Sequence, residues 1–181
     1  MVDIQIRGEI WDNDSSEVLR WLGWRDLTCP NDIAKALEAA GGDEVTVLVN
    51  SPGGDLFSGA EIRSMLRRYN GRTEALIQGY AASAATVAIS ACDVIRCESG
   101  GLCCYHNPVS TAEGDYRDMS GASKSLKNAR DTILDAYLAR PVCKTTREEL
   151  AALMDKDIFI TPTQAKEYGL LGKNIFDSGF D

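Results

Sequence analysis

Hydrophobic and polar residues follow strand and helix periods in turn along the chain. Alternation over residues 3–10 predicts a half-buried strand, and the β-branched run 45–49 predicts a fully buried one. Apolar residues at helical spacing predict a helix over residues 57–69. The same reasoning predicts further strands over 74–78, 93–97 and 102–106, and further helices over 14–24, 31–40, 82–92 and 115–139. Strands that alternate with helices in this way predict an α/β fold.

Turn and capping residues mark where several of these elements begin and end. Gly41-Gly42 stops the helix predicted before it, while Thr145-Thr146-Arg147-Glu148 and Thr161-Pro162-Thr163-Gln164 have the form of capping boxes that open further helices. The chain shows no internal repeat, low-complexity tract or linker, and 181 residues suit one domain of ordinary size. We therefore expect a single domain over residues 1–181.

Composition narrows the classes of function. The chain has 19 basic against 27 acidic residues, a net charge of −8, and no long basic cluster. We therefore expect no nucleic-acid partner and no basic face that would hold the protein on an anionic membrane. The N-terminus lacks the features of a signal peptide, and the longest low-charge stretch, residues 79–92, is too short to span a bilayer. These features predict a soluble, cytoplasmic protein.

Six cysteines and a single histidine limit the chemistry further. In a protein that is not secreted, we expect the cysteines to be reduced thiols rather than disulfides. No Cys-x-x-Cys pair occurs and one histidine does not suit a zinc site, so we predict no metal and no cofactor. Any mechanism that needs an imidazole must use His106.

Four segments contain residues that could take part in catalysis. Residues 50–55, Asn-Ser-Pro-Gly-Gly-Asp, lead from a strand into a helix and could offer backbone N–H groups to an oxyanion, or could simply form a tight turn that needs glycine. Ser83 lies at the start of an alanine-rich helix, where it could be a nucleophile or an ordinary N-cap residue. His106 lies at the end of a predicted strand, and it could have a catalytic or a structural role there. Asp155 and Asp157 could each orient an imidazole, or could be solvated.

In chain order, these segments resemble the proteolytic subunit of the Clp protease. The likeness rests on Asn-Ser-Pro-Gly-Gly before a helix, Gly-x-Ala-Ala-Ser, His-Asn-Pro and Asp-x-Phe-x-Thr-x-x-Gln-Ala-x-Glu-Tyr-Gly-Leu, which span residues 45–172. Gly-Glu-Ile-Trp, Ser-Pro-Gly-Gly-Asp and His-Asn-Pro are most similar to the related head maturation proteases of tailed phages and prophages. The resemblance implies a crotonase-like β/α spiral, in which the helix over residues 115–139 is a handle that joins two rings.

Carried over residue by residue, the resemblance implies a serine endopeptidase. Ser83 would be the nucleophile, His106 the general base and Asp157 the carboxylate that orients the imidazole. The backbone N–H groups of Gly54 and Ala84 would form the oxyanion hole. The acyl-enzyme formed on the serine would be hydrolysed by water.

The resemblance also implies partners. It predicts homo-oligomeric rings, seven-membered as in the family, with Asp155-Lys156 in the place of an acid-base pair that senses contact between rings. The loop after His106 would bind a polypeptide substrate as an added strand, and the phage likeness makes that substrate a scaffold or capsid protein. The family's pore-lining N-terminal segment has no counterpart before residue 3, which leaves an ATPase partner open. Residues 11–31 match nothing in the family pattern. They could form a subunit contact or a surface for a capsid partner, but we expect their aromatic side chains to belong to the core.

Three other interpretations stay open. Cys104 and His106 lie two apart on a strand and share a face, as in a cysteine peptidase, although Cys103-Cys104 is typical of a strand core. The crotonase fold also houses acyl-CoA enzymes, which need no serine-histidine pair. A ring-forming relative could serve as a structural or regulatory subunit. The combination of Ser83, His106 and Asp157 favours a serine endopeptidase that is ATP-independent, or for which it stays open whether an ATPase partner exists.

Overall fold

The computed structural model describes residues 2–172. Within them the strands are β1 (Val2–Ile10), β2 (Leu27–Thr28), β3 (Val45–Gly54), β4 (Thr73–Ala82), β5 (Val94–Cys97), β6 (Leu102–Cys104) and β7 (Phe159–Ile160). The helices are α1 (Asn13–Trp21), α2 (Pro30–Ala40), α3 (Leu56–Arg68), α4 (Ala84–Ile89), α5 (Tyr116–Leu138), α6 (Arg147–Met154) and α7 (Pro162–Glu167). The predicted α/β fold class is confirmed.

One sheet organises these elements. Its order is β2-β1-β3-β4-β6-β7, and β5 also pairs with β4. The pairings are parallel except for the antiparallel pair of β6 and β7. The first part of β4 pairs with β5 and its last part with β6. The carboxyl end of β4 therefore lies between β3 and β6.

The core lies between the sheet and the helices that cover it. Fully buried side chains come from both, among them Ile6, Val47, Ile62, Ile77 and Ile89. At Gly59 of α3, a Cβ atom would lie 2.8 Å from the carbonyl oxygen of Ala84. Glycine at this position lets α3 approach the first turn of α4 closely.

The long helix α5 is packed only towards its C-terminal end. Its buried side chains are Ile133, Leu134 and Tyr137. Asp115 caps the helix by accepting backbone N–H groups of the first turn. The prediction of a long helix over residues 115–139 is confirmed. None of the helices between residues 2 and 172 has the length and apolarity that crossing a bilayer requires.

Two boundary shifts concern the candidate residues Ser83 and His106. α4 spans Ala84–Ile89 instead of residues 82–92, because β4 continues to Ala82 and Ser83 breaks the helical conformation. β6 ends at Cys104 instead of residue 106, so His106 lies beyond the strand. Both shifts place a candidate residue in irregular backbone between regular elements.

The expectation of core aromatic residues in segment 11–31 is wrong. Trp21 is 84% exposed and Trp24 is 51% exposed. The physical reason is that α1 buries only Ser16 and thus has no apolar inner face. The helix starts at Asn13, earlier than predicted, because Asp12 is its N-cap and accepts the N–H of Ser15.

Candidate active site

One row of paired residues crosses β4, β6 and β7 at the end of the sheet. It consists of Ala82, Cys104 and Phe159. The N–H of Ser83, the residue after Ala82, donates to the carbonyl oxygen of Cys104 at 3.1 Å. This bond holds the turn after β4 against β6.

The three residues predicted as a triad lie within two positions of that row. Ser83 follows it by one residue on β4, His106 follows it by two after β6, and Asp157 precedes it by two before β7. The Sγ atom of Cys104 is 4.0 Å from Oδ1 of Asp157. Among residues 2–172, the side chains of Ser83, His106 and Asp157 form no hydrogen bond with one another. Catalytic hydrogen bonds are often long before substrate binds, so the shared placement is the informative feature.

Ser83 and Asp157 share an unusual backbone conformation. Their φ angles are 55° and 48°, and no other non-glycine residue between 2 and 172 has a positive φ. A positive φ is sterically unfavourable for a residue that carries a Cβ atom, and it costs of order 1–3 kcal/mol per residue. Backbone strain of this kind clusters at active sites, where the surrounding structure holds it in place.

Ser83 stands at the N-cap position of α4 without acting as a cap. Its side chain accepts no hydrogen bond from the helix. In contrast, Asp55 before α3 and Thr146 before α6 each accept an N–H from the following turn. The interpretation of Ser83 as an ordinary N-cap is therefore wrong, and its hydroxyl has no capping role.

A glycine turn packs directly against Ser83. A Cβ atom on Gly53, whose φ is +88°, would lie 2.5 Å from the carbonyl oxygen of Ala82 and 2.7 Å from Cβ of Ser83. The buried hydroxyl of Ser51 holds this turn, because it donates to the carbonyl oxygen of Gly8 at 2.6 Å and accepts the N–H of Gly53 at 3.1 Å. The turn thus requires glycine, and it also forms one wall of the site.

The two residues predicted for the oxyanion hole border this contact. Ala84 opens α4, and its backbone nitrogen lies 2.7 Å from the Cβ position of Gly53. Gly54 ends β3, and a Cβ atom there would meet the carbonyl oxygen of Ile10 at 2.2 Å. Close packing therefore fixes both backbone segments, that of Ala84 against Gly53 and that of Gly54 against Ile10.

Two residues that the sequence analysis missed connect α5 to the site. Oγ1 of Thr86 donates to the carbonyl oxygen of Ser83 at 2.6 Å and lies 2.7 Å from the hydroxyl of Tyr137. Thr86 has one hydroxyl proton, so Tyr137 must donate to it. The ring of Tyr137 also meets Tyr105, the neighbour of His106, edge to face at 5.2 Å. Tyr137 lies on the buried face of α5, but no local pattern in the sequence predicts these partners.

The surroundings of Cys104 oppose a role as nucleophile. Burial raises the pKa of its thiol, and the Asp157 carboxylate raises that pKa further. Because the thiolate is the attacking species in cysteine catalysis, this environment lowers its reactivity. Cys103 and Cys104 are both buried, so the prediction of a strand core is confirmed, as is that of six free cysteines.

An apolar groove begins one helical turn from Ser83. Its volume is about 420 Å³, it lies between α3 and α5, and its lining includes Leu56, Phe57, Ala60, Val87, Ile133 and Ala136. Val87 reaches back to the site, because its N–H donates to the carbonyl oxygen of Ser83 at 3.3 Å. The groove has the polarity and the size to receive an apolar side chain.

A family model and several known proteins that are similar to this chain share one description. The sequence model described as Clp protease matches residues 31–178. An ATP-dependent Clp protease proteolytic subunit of Deinococcus radiodurans is 25% identical over 134 residues, which cover 73% of this chain and 65% of that protein. One from Nephroselmis olivacea is 26% identical over 125 residues, covering 68% and 59%. Subunit 1 of Protochlamydia amoebophila is 25% identical over 185 residues, covering 95% and 79%.

The match to two of these relatives covers less than two thirds of their length. The chain spans 65% and 59% of the lengths of the Deinococcus and Nephroselmis relatives. The region matched by the family model includes every residue predicted for the triad and the oxyanion hole.

Proposed function

Because the chain belongs to the Clp protease family, we propose that it is a serine endopeptidase with Ser83 as its nucleophile. The observation that carries this proposal is the backbone conformation of Ser83 together with its uncommitted side chain. Ser83 is held at a positive φ of 55° in a strand-to-helix turn, and its side chain does not cap the helix. An acyl-CoA enzyme of the same fold class needs no serine there, so the strained Ser83 favours a peptidase.

In the proposed reaction, Oγ of Ser83 attacks the carbonyl carbon of a peptide bond while His106 accepts the hydroxyl proton. The N–H groups of Gly54 and Ala84 stabilise the oxyanion that develops on the carbonyl oxygen. As the C–N bond breaks, His106 returns the proton to the leaving amine. Water, activated by the same imidazole, then hydrolyses the acyl ester and restores the serine. Asp157 orients the imidazole for both steps.

The apolar groove between α3 and α5 supports a preference for substrates with an apolar side chain next to the cleaved bond. Burying such a side chain excludes water from it and adds binding energy at a fixed distance from Ser83. The loop after His106 is proposed to pair with the backbone of the same substrate.

Narrowing the groove is expected to change substrate preference. Ala60 lines the groove from an exposed position on α3, so Ala60→Phe fills it without disturbing the core. We expect kcat/KM to fall about tenfold for peptides with leucine or phenylalanine before the cleaved bond, and to change little for peptides with alanine there. Equal losses for both peptides would contradict this role of the groove.

We further propose that the protein assembles into homo-oligomeric rings, with α5 as the handle. α5 has no buried side chain between Tyr116 and Thr132, and its first half, up to Lys127, is mostly exposed and therefore available to another copy of the chain. For the substrate we propose a scaffold or capsid protein of a phage head, processed in the host cytoplasm, on the basis of the motif forms near Trp11, Asp55 and His106. The proposal covers action without ATP and action with an ATPase partner alike.

Covalent labelling tests the proposed function. A fluorophosphonate probe is expected to label the assembled protein, and peptide mass spectrometry is expected to locate the adduct on Ser83. An adduct on a different residue would overturn the assignment of the nucleophile. The absence of an adduct in a folded, assembled protein would favour a structural or regulatory subunit instead.

A further inference from the structure

Three polar side chains form a closed network behind the site. Nδ2 of Asn107 donates to Oδ1 of Asp155 at 2.8 Å. The guanidinium of Arg130 donates from Nε to Oδ1 of Asn107 and from Nη2 to Oδ1 of Asp155, both at 2.8 Å. Each member of the network therefore contacts the other two.

The network joins the two segments that carry the proposed base and its carboxylate. Asn107 follows His106 directly, and Asp155 precedes Asp157 by two residues. Arg130 comes from a third element, α5, and its Nη2 also reaches the carbonyl oxygen of Ala151 on α6 at 3.4 Å. One guanidinium thus contacts both segments, which β6–β7 pairing and the Asn107–Asp155 hydrogen bond also join.

The chemistry of Arg130 suits this task. A guanidinium is planar and offers donors in a rigid fork, so it can hold an amide and a carboxylate at fixed angles, which a single ammonium cannot do. The hydrogen bond from Asn107, and then the charge of Arg130, hold the pKa of Asp155 below its ordinary value. Asp155 therefore remains a charged acceptor through the range in which imidazoles titrate.

We propose that Arg130 is a positioning residue, which aligns His106 with Asp157 by holding Asn107 and Asp155 together. The inference rests on the proposed function, since it presupposes that His106 and Asp157 act as a pair. It also assigns Asp155 to a contact within its own chain, whereas the family resemblance places it in the pair that senses contact between rings.

The single histidine makes the alignment directly measurable. The assembled full chain is labelled with ¹⁵N-histidine and measured with an unlabelled product peptide bound, because catalytic hydrogen bonds tighten when the site is occupied. The imidazole signals then belong to His106 alone. At about pH 8.5 the imidazole of a histidine is neutral, and the ¹⁵N shifts then show which nitrogen carries the proton. An aligned Asp157 accepts a hydrogen bond and fixes the proton on Nδ1. Without that acceptor, the proton is expected to move largely to Nε2.

Arg130→Met is the informative variant, and Arg147→Met is its matched control. Arg147 also bridges two side chains, Asp131 and Asp135, and the two arginine side chains are similarly exposed at 39% and 30%. We expect Arg130→Met to shift the proton from Nδ1 to Nε2 and to lower kcat by about tenfold to a hundredfold, with KM changed less than twofold. The control is expected to leave the tautomer unchanged.

The outcomes separate this inference from the proposed function. If Arg130→Met keeps the proton on Nδ1 and kcat at the wild-type level, the positioning role is overturned while the triad stands. If Asp157→Asn does not move the proton in the otherwise wild-type protein, the triad is overturned and the inference with it. Should Arg130→Met fail to fold, Arg130→Lys is measured instead, and a wild-type tautomer and kcat in that variant would equally overturn the role.

Discussion

Replacing Ser83 by alanine is expected to lower kcat for peptide hydrolysis by about 10⁴-fold or more. The reason is that no other group in the site can form the acyl ester, so only binding and oxyanion stabilisation remain. Fold stability should be nearly unchanged, because the Ser83 side chain makes no capping bond and alanine keeps the same Cβ. Hydrolysis of a fluorogenic peptide measures the activity, and thermal unfolding followed by circular dichroism measures the stability.

Cys104→Ala is the control for this experiment. The raised pKa of the Cys104 thiol leaves little thiolate at neutral pH, so its loss is expected to change kcat only a few-fold. The reverse pattern, in which activity survives Ser83→Ala and disappears in Cys104→Ala, would establish a cysteine peptidase and refute the proposed mechanism.

The second large effect is expected from Gly53→Ala. The new Cβ would lie within 2.7 Å of Cβ of Ser83, the nitrogen of Ala84 and the carbonyl oxygen of Ala82, at a φ of +88° that alanine rarely adopts. Overpacking and backbone strain together should lower the free energy of unfolding by about 2–4 kcal/mol. Displacement of the serine should lower kcat/KM by about a hundredfold or more. Chemical denaturation and peptide hydrolysis measure the two effects.

Gly42→Ala distinguishes close packing from backbone strain. Gly42 has a similar φ of +98°, but no atom lies within 4 Å of its Cβ position. Its replacement should lower the free energy of unfolding by about 1 kcal/mol and leave kcat/KM unchanged. If Gly53→Ala behaved in the same way, the contact between the glycine turn and Ser83 would have no role in the reaction.

Sequence patterns predicted regular elements better than the irregular backbone between them. The long helix α5 and the capping of α7 at Thr161 were predicted correctly, because helical period and caps are local properties. The start of α4 was predicted two residues too early. Alanine-rich residues favour a helix, but pairing with β6 keeps Ala82 in the sheet. The tryptophans of segment 11–31 were misassigned because hydrophobicity alone does not say whether a core exists beside them.

The order and type of most elements, and the candidates Ser83 and His106, could be taken from local patterns in the chain. Spacing left Asp155 and Asp157 as equal candidates, and the choice of Asp157 came from the family resemblance. The meeting of Ser83, His106 and Asp157 at one end of the sheet depends on the register of β4, β6 and β7. The contact of Gly53 with Ser83 depends on how two turns pack. Arg130 reaches partners 23 and 25 positions away in the chain. Such contacts arise only when distant segments are packed together, and no local period or motif contains that information.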